Sequence, residues 1–140
     1  MRYTLRRKRD SRRGAALVEF ALVVPVLLLF LVGMIEVGRA IMVQQLITNA
    51  SREGARVAGY ESTTQTSSVT SAVNTYLSNV NINGATTTVS PDPPTGASDG
   101  QQVSVSVSVP YKTVSWVPSP FFLGGSTLKA TSVMRREPAP

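Results

Sequence analysis

Chemistry has few footholds in this sequence of 140 residues. It holds neither histidine nor cysteine, which excludes an imidazole base, a thiolate nucleophile, a Cys/His zinc site and a disulfide. Serines and aspartates are plentiful, but without histidine they suggest no hydrolase arrangement. There is no Gly-rich phosphate loop and no converging set of acids. What remains is charge in particular places. Glu19 is the one charged residue inside a long apolar run, Glu36 and Arg39 follow it three apart, and Glu53 and Arg56 repeat that spacing. Residues three apart are neighbours on a helix, so Glu36 and Arg39 read as an interfacial pair at the outer edge of the membrane, and Glu53 and Arg56 as another plain pair, before either reads as a binding site. This is the chemistry of pairing and placement. The chain is expected to be no enzyme and to need no cofactor or metal.

The element that must position Glu19 is the apolar run over 15–35, AALVEFALVVPVLLLFLVGMI. At a rise of about 1.5 Å per residue, these residues reach roughly 30 Å, the thickness of the hydrocarbon core of a bilayer. A secretory signal's apolar region is usually about 7–15 residues, so the length favours an anchor. Pro25 lacks an N–H and is expected to loosen or kink the buried half. An acid within the run is costly near the middle of the membrane and less so near its end, so Glu19 either awaits a partner or snorkels to the interface.

Seven Lys/Arg in residues 1–14, against Asp10 alone, account for the whole net charge of +6. A basic stretch abutting an apolar run is a topology signal: those residues stay in the cytoplasm and the C-terminal bulk crosses over. A nucleic-acid-binding arm is the competing reading, and no nucleic acid is expected as a partner.

Helical spacing does not stop at the end of the run. Ile41, Leu46, Ile47, Ala50, Val57 and Ala58 mark one face, and Gly59 ends the pattern. The prediction is a single helix of about 45 residues, half in lipid and half projecting. Val69, Ala72, Val73, Tyr76, Leu77 and Val80 place a second amphipathic helix over 67–80, and 81–84 reads as a turn. Residues 85–90 are β-prone, and 91–100 form a loop rich in Pro, Gly and Asp. Over 101–109, Val103, Val105, Val107 and Val109 alternate with serines, a half-buried strand. Pro110 limits that strand, with 111–116 a possible extension along an edge. Trp116, Pro118, Pro120, Phe121 and Phe122 make an apolar tip that suits either a contact surface or a packed loop, and 126–135 alternates again as a closing strand. The fold class is α+β: a long N-terminal helix, a short helix and an antiparallel sheet of about three strands. The domains are a basic cytoplasmic leader at 1–14, a transmembrane helix at 15–35, a helical extension at 36–60 and an extracytoplasmic α+β domain at 61–140.

RRGAALVEFALVVPVLLLFLVGMIEVGRA, followed by SREGAR, resembles the TadE-like family, pilin-like components of the tight-adherence (Tad, or Flp) pilus machinery. The pieces that carry the resemblance are a basic stretch, Gly14, Glu19-Phe20, Pro25, then Glu36, Gly38 and Arg39, and a closing Gly54-Ala55-Arg56. They cover about residues 12–58. The family often shows Glu-Tyr where this chain has Glu19-Phe20, a conservative departure.

The resemblance implies cutting by a prepilin peptidase between Gly14 and Ala15, which makes Glu19 the fifth residue of the mature chain. The freed amine of Ala15 and the carboxylate of Glu19 are i and i+4, on one helix face, and the amine could also meet Glu19 of a neighbouring subunit. It further implies a minor pilin or pseudopilin in the inner membrane or the surface pilus. The partners would be the lipid bilayer, other pilin-like subunits, the prepilin peptidase and the assembly platform. The alternative is an extracytoplasmic binding module with an ordinary signal sequence, cut near Ala40 so that Ile41 begins the mature chain.

Overall fold

The computed structural model describes residues 8–118 and 123–137, with 8–13 by backbone alone. The first half of the basic leader and Pro120, Phe121 and Phe122 of the apolar tip lie outside the described residues. Helix α1 is Lys8–Gly59, 52 residues, with Pro25 in its interior. Helix α2 is Thr66–Asn79, and the strands are β1 Thr86–Ser90, β2 Gln102–Pro110 and β3 Thr127–Arg135. This is the expected α+β arrangement. Contacts divide the chain into two units, one through Ile35 and the other from Glu36 onward.

In the first unit the apolar side chains stand open. Leu17, Phe20, Leu22 and Phe30 are each about two-thirds exposed, and none of the most apolar stretch is buried. A soluble protein does not leave so large a contiguous apolar surface in water. The helix is long and apolar enough to cross a membrane, the property that anchors a chain of this kind.

In the second unit β2 is the central strand, paired antiparallel to β1 on one side and β3 on the other. Alternation puts Val103, Val105, Val107 and Val109 on one face, and all four are fully buried. Each contributes up to about 1.5–3 kcal/mol by leaving water. They join one core with Val43, Ile47, Ala50, Ala55 and Ala58 of α1 and Val69, Val73 and Leu77 of α2. The opposite face is hydroxylated, and the paired residues Ser106 and Thr131 share a hydrogen bond of 2.7 Å between their hydroxyls.

Two expectations change. The buried stripe of α1 runs through Val43, Ile47, Ala50 and Gly54, and Ile41 faces away from it, 56% exposed. Residues 111–116 do not extend β2. The chain turns through a 3₁₀ segment, Tyr111–Thr113, because Pro110 ends the strand and the Tyr111 N–H bonds to the Ser126 carbonyl at 2.9 Å. Helix α2 stops on Asn81, whose positive φ of 55° lets Ile82 N–H reach the Leu77 carbonyl at 2.9 Å and Asn81 N–H the Ser78 carbonyl at 3.1 Å. Ile82 is buried beside this pair of bonds, closing the helix end as a Schellman motif.

Candidate functional site

The sequence-marked residues fall into two groups. Gly14, Ala15, Glu19, Phe20 and Pro25 belong to the first unit, and those from Glu36 to Arg56 belong to the second. In the first unit, Gly14, Ala15, Glu19 and Phe20 are all exposed, and open space surrounds Gly14. Helix α1 runs through Gly14 and Ala15 without a break. Glycine is about 1 kcal/mol worse than alanine in a helix interior, so this is a weak point in the early turns. Ala15 and Glu19 lie one turn apart on the same helix, the placement that lets an amine on one meet a carboxylate on the other.

In the second unit the first motif residues are buried. Glu36 is 1% exposed and Arg39 is 8% exposed. The expected Glu36–Arg39 interfacial pair is not how they are used. Glu36 Oε1 accepts the Leu123 N–H at 2.8 Å, and the Glu36 backbone carbonyl accepts the Tyr111 hydroxyl at 2.7 Å. Arg39 donates its Nε–H to the Val114 carbonyl at 2.8 Å, and its guanidinium lies 4.7 Å from the centre of the Trp116 ring. Both residues thus hold backbone or side-chain groups at Tyr111, Val114 and Leu123 from one turn of helix. A carboxylate and a guanidinium taken from water need such partners, since an unmet buried charge is costly.

Gly54 and Ala55 are buried for a different reason. A Cβ on Gly54 would stand 2.6 Å from Val73 Cγ2 and 3.0 Å from Val105 Cγ1, so α2 and the sheet come close to α1 only because no side chain is there. Gly38, by contrast, has nothing within 4 Å. Arg56 is exposed and forms the salt bridge found among the described residues, with Glu53, at 2.9 and 2.5 Å. The hydrogen bond from Arg56 holds the Glu53 carboxyl below its ordinary range, and Glu53 in turn raises Arg56.

Sequence reasoning missed the clasp on Glu36 and Arg39. Its partners Tyr111, Val114 and Leu123 sit 75 or more positions away, and two of them act through backbone atoms that carry no sequence signal. It also missed Arg136, which is buried and bonds the Glu61 carbonyl at 2.9 Å, tying the end of β3 to the α1–α2 link.

Residues 14–56 match the model of the TadE-like protein family, a family associated with Tad pilus assembly, and the match takes in every marked residue from Gly14 to Arg56. No curated protein and no solved structure matches the chain.

Proposed function

Starting from a TadE-like segment at residues 14–56, we propose that this chain is a pilin-like structural subunit, a minor pilin or pseudopilin, of a Tad/Flp-type surface pilus. It crosses the inner membrane once, with its basic leader in the cytoplasm and its α+β domain outside. The observation that carries the reading is an exposed apolar helix whose matched segment opens on Gly14 and bears Glu19 one turn further in. Prepilin peptidase cuts between Gly14 and Ala15. The new Ala15 amine then neutralises Glu19, in the same chain or in a neighbouring subunit, and the membrane cost of a lone carboxylate falls. Before the cut, the basic leader holds the chain at the cytoplasmic surface. Its partners are other pilin-like subunits, the peptidase and the assembly platform.

The test is the mass of the mature N-terminus in cells with and without the peptidase. A chain beginning at Ala15 only when the peptidase is present supports the proposal. A chain that begins at Met1 in both strains overturns the processing step. One that begins at Ile41 replaces the proposal with the secreted binding module.

A further inference from the structure

Trp116 is the sole tryptophan of the chain and is 65% exposed. It is not a loose side chain. Its ring lies against Arg39, which is itself fixed by the Val114 carbonyl, two residues before the tryptophan. Five residues before it, Tyr111 is also held to α1, its hydroxyl donating to the Glu36 backbone carbonyl. A buried arginine thus presents one aromatic ring whose other face is open. The stacked guanidinium and the held positions at Tyr111 and Val114 lower the entropy that ordering the ring would otherwise cost.

The position of this ring along the chain identifies what covers it. Arg39 comes four residues after Ile35, where the apolar run ends. Four residues of helix rise about 6 Å. The headgroup layer on one side of a bilayer is roughly 5–8 Å deep, the difference between the full membrane and its hydrocarbon core shared over two faces. Arg39 therefore lies at headgroup level whenever the preceding run spans, and Trp116 is stacked on it. The exposed side chains of the same turns are Val37, Ile41 and Met42, apolar residues continuous with the span. Tryptophan favours this layer because its ring is apolar and its indole N–H needs a polar partner.

We infer that Trp116, with Val37, Ile41 and Met42, forms an interfacial collar that seats the outer domain on the lipid headgroup layer, with Arg39 as its positioning residue. The inference rests on the membrane-spanning reading of residues 15–35.

The full chain, reconstituted in phosphatidylcholine–phosphatidylglycerol vesicles at low protein-to-lipid ratio, reports on itself through its one tryptophan. Expected are blue-shifted emission, poor quenching by aqueous iodide, and severalfold stronger quenching by lipids brominated near the glycerol than near the terminal methyl. In a Trp116→Phe/Asn74→Trp chain the signal moves to the exposed face of α2, beside Val73, and red, iodide-quenched emission is expected. Arg39→Gln is expected to weaken the lipid quenching of Trp116 while the chain still floats with the vesicles. Red, iodide-quenched emission from the unsubstituted chain while it floats overturns the collar and leaves the span intact. Lipid-independent shielding that appears only as protein density rises overturns it in favour of a second copy. Failure to float overturns the span and the collar together.

Discussion

The Tyr111 hydroxyl donates to the backbone carbonyl of Glu36 across 2.7 Å, with the tyrosine fully buried and 75 positions separating the two in sequence. That carbonyl lies inside α1 and retains its helical acceptor role, so the tyrosine uses its second lone pair. Removing the hydroxyl therefore leaves no buried donor without a partner. Tyr111→Phe is expected to cost about 0.5–1.5 kcal/mol and to keep the fold, whereas Tyr111→Ala opens a cavity and costs about 3–5 kcal/mol. Urea denaturation of the full chain in detergent micelles, followed by circular dichroism, separates the two. Equal losses would mean that the hydroxyl, and not the ring, is the whole of the contact.

Arg39 performs two tasks that lysine cannot combine. Its Nε–H reaches the Val114 carbonyl while the flat guanidinium lies over Trp116. A lysine has a point charge and no plane to stack. Arg39→Lys is expected to destabilise the second unit by roughly 1–3 kcal/mol, the range for losing a charged hydrogen bond at a buried site. Hydrogen exchange should show the loss concentrated at residues 111–118. A uniform rise in exchange over α2 and β1 would argue that Arg39 supports the core and not this loop.

How much of this was readable beforehand depends on the range of the signal. Period-two valines in β2 and the helical stripe in α2 were read correctly because each element carries its own pattern over a few residues. The long helix was read because an apolar run and a periodic run meet without a breaker. Ile41 is apolar and roughly in phase, which by spacing alone gives it to the buried face, yet the sheet docks against a stripe centred on Val43 and Ile47. Docking angle is a tertiary quantity that no local spacing contains. Glu36 and Arg39 read from sequence as partners of each other, since i and i+3 is the nearest partner that a sequence offers. Their actual partners arrive from 75 or more residues on, through carbonyl and amide groups common to every residue.

Two glycines on α1 should respond to alanine in opposite ways. At Gly38 nothing lies within 4 Å, so Gly38→Ala gains helix propensity and is expected to stabilise by up to about 1 kcal/mol. At Gly54 the same gain is opposed by a methyl placed 2.6 Å from Val73 and 3.0 Å from Val105, both branched at Cβ and both buried. Overpacking of that kind typically costs about 1–3 kcal/mol, so Gly54→Ala is expected to be destabilising on balance. Midpoints of urea denaturation for the two variants, measured side by side, should move to opposite sides of the parent. Two stabilising shifts would show that α2 can move away from α1 without penalty.

The Glu53–Arg56 bridge makes a pH prediction whose sign follows from the shift. The hydrogen bond from Arg56 lowers the Glu53 carboxyl below its ordinary value in the folded chain. A depressed folded value means that the unfolded chain binds the proton more readily. The bridge therefore contributes above the unfolded carboxylate range, near pH 4.3, and the contribution is lost as pH falls through the lower folded value. Both side chains are more than a third exposed, so water and salt screen the pair and the effect is small. Glu53→Gln is expected to lower the denaturation midpoint slightly at pH 7 and to match the parent chain once pH has dropped well below 4, and added salt should narrow the gap at pH 7. The Arg56 guanidinium also lies 5.4 Å from the centre of the Tyr60 ring, a contact that does not involve the Glu53 charge. A gap that persisted unchanged in acid would assign the loss to the side chain's packing and not to its charge.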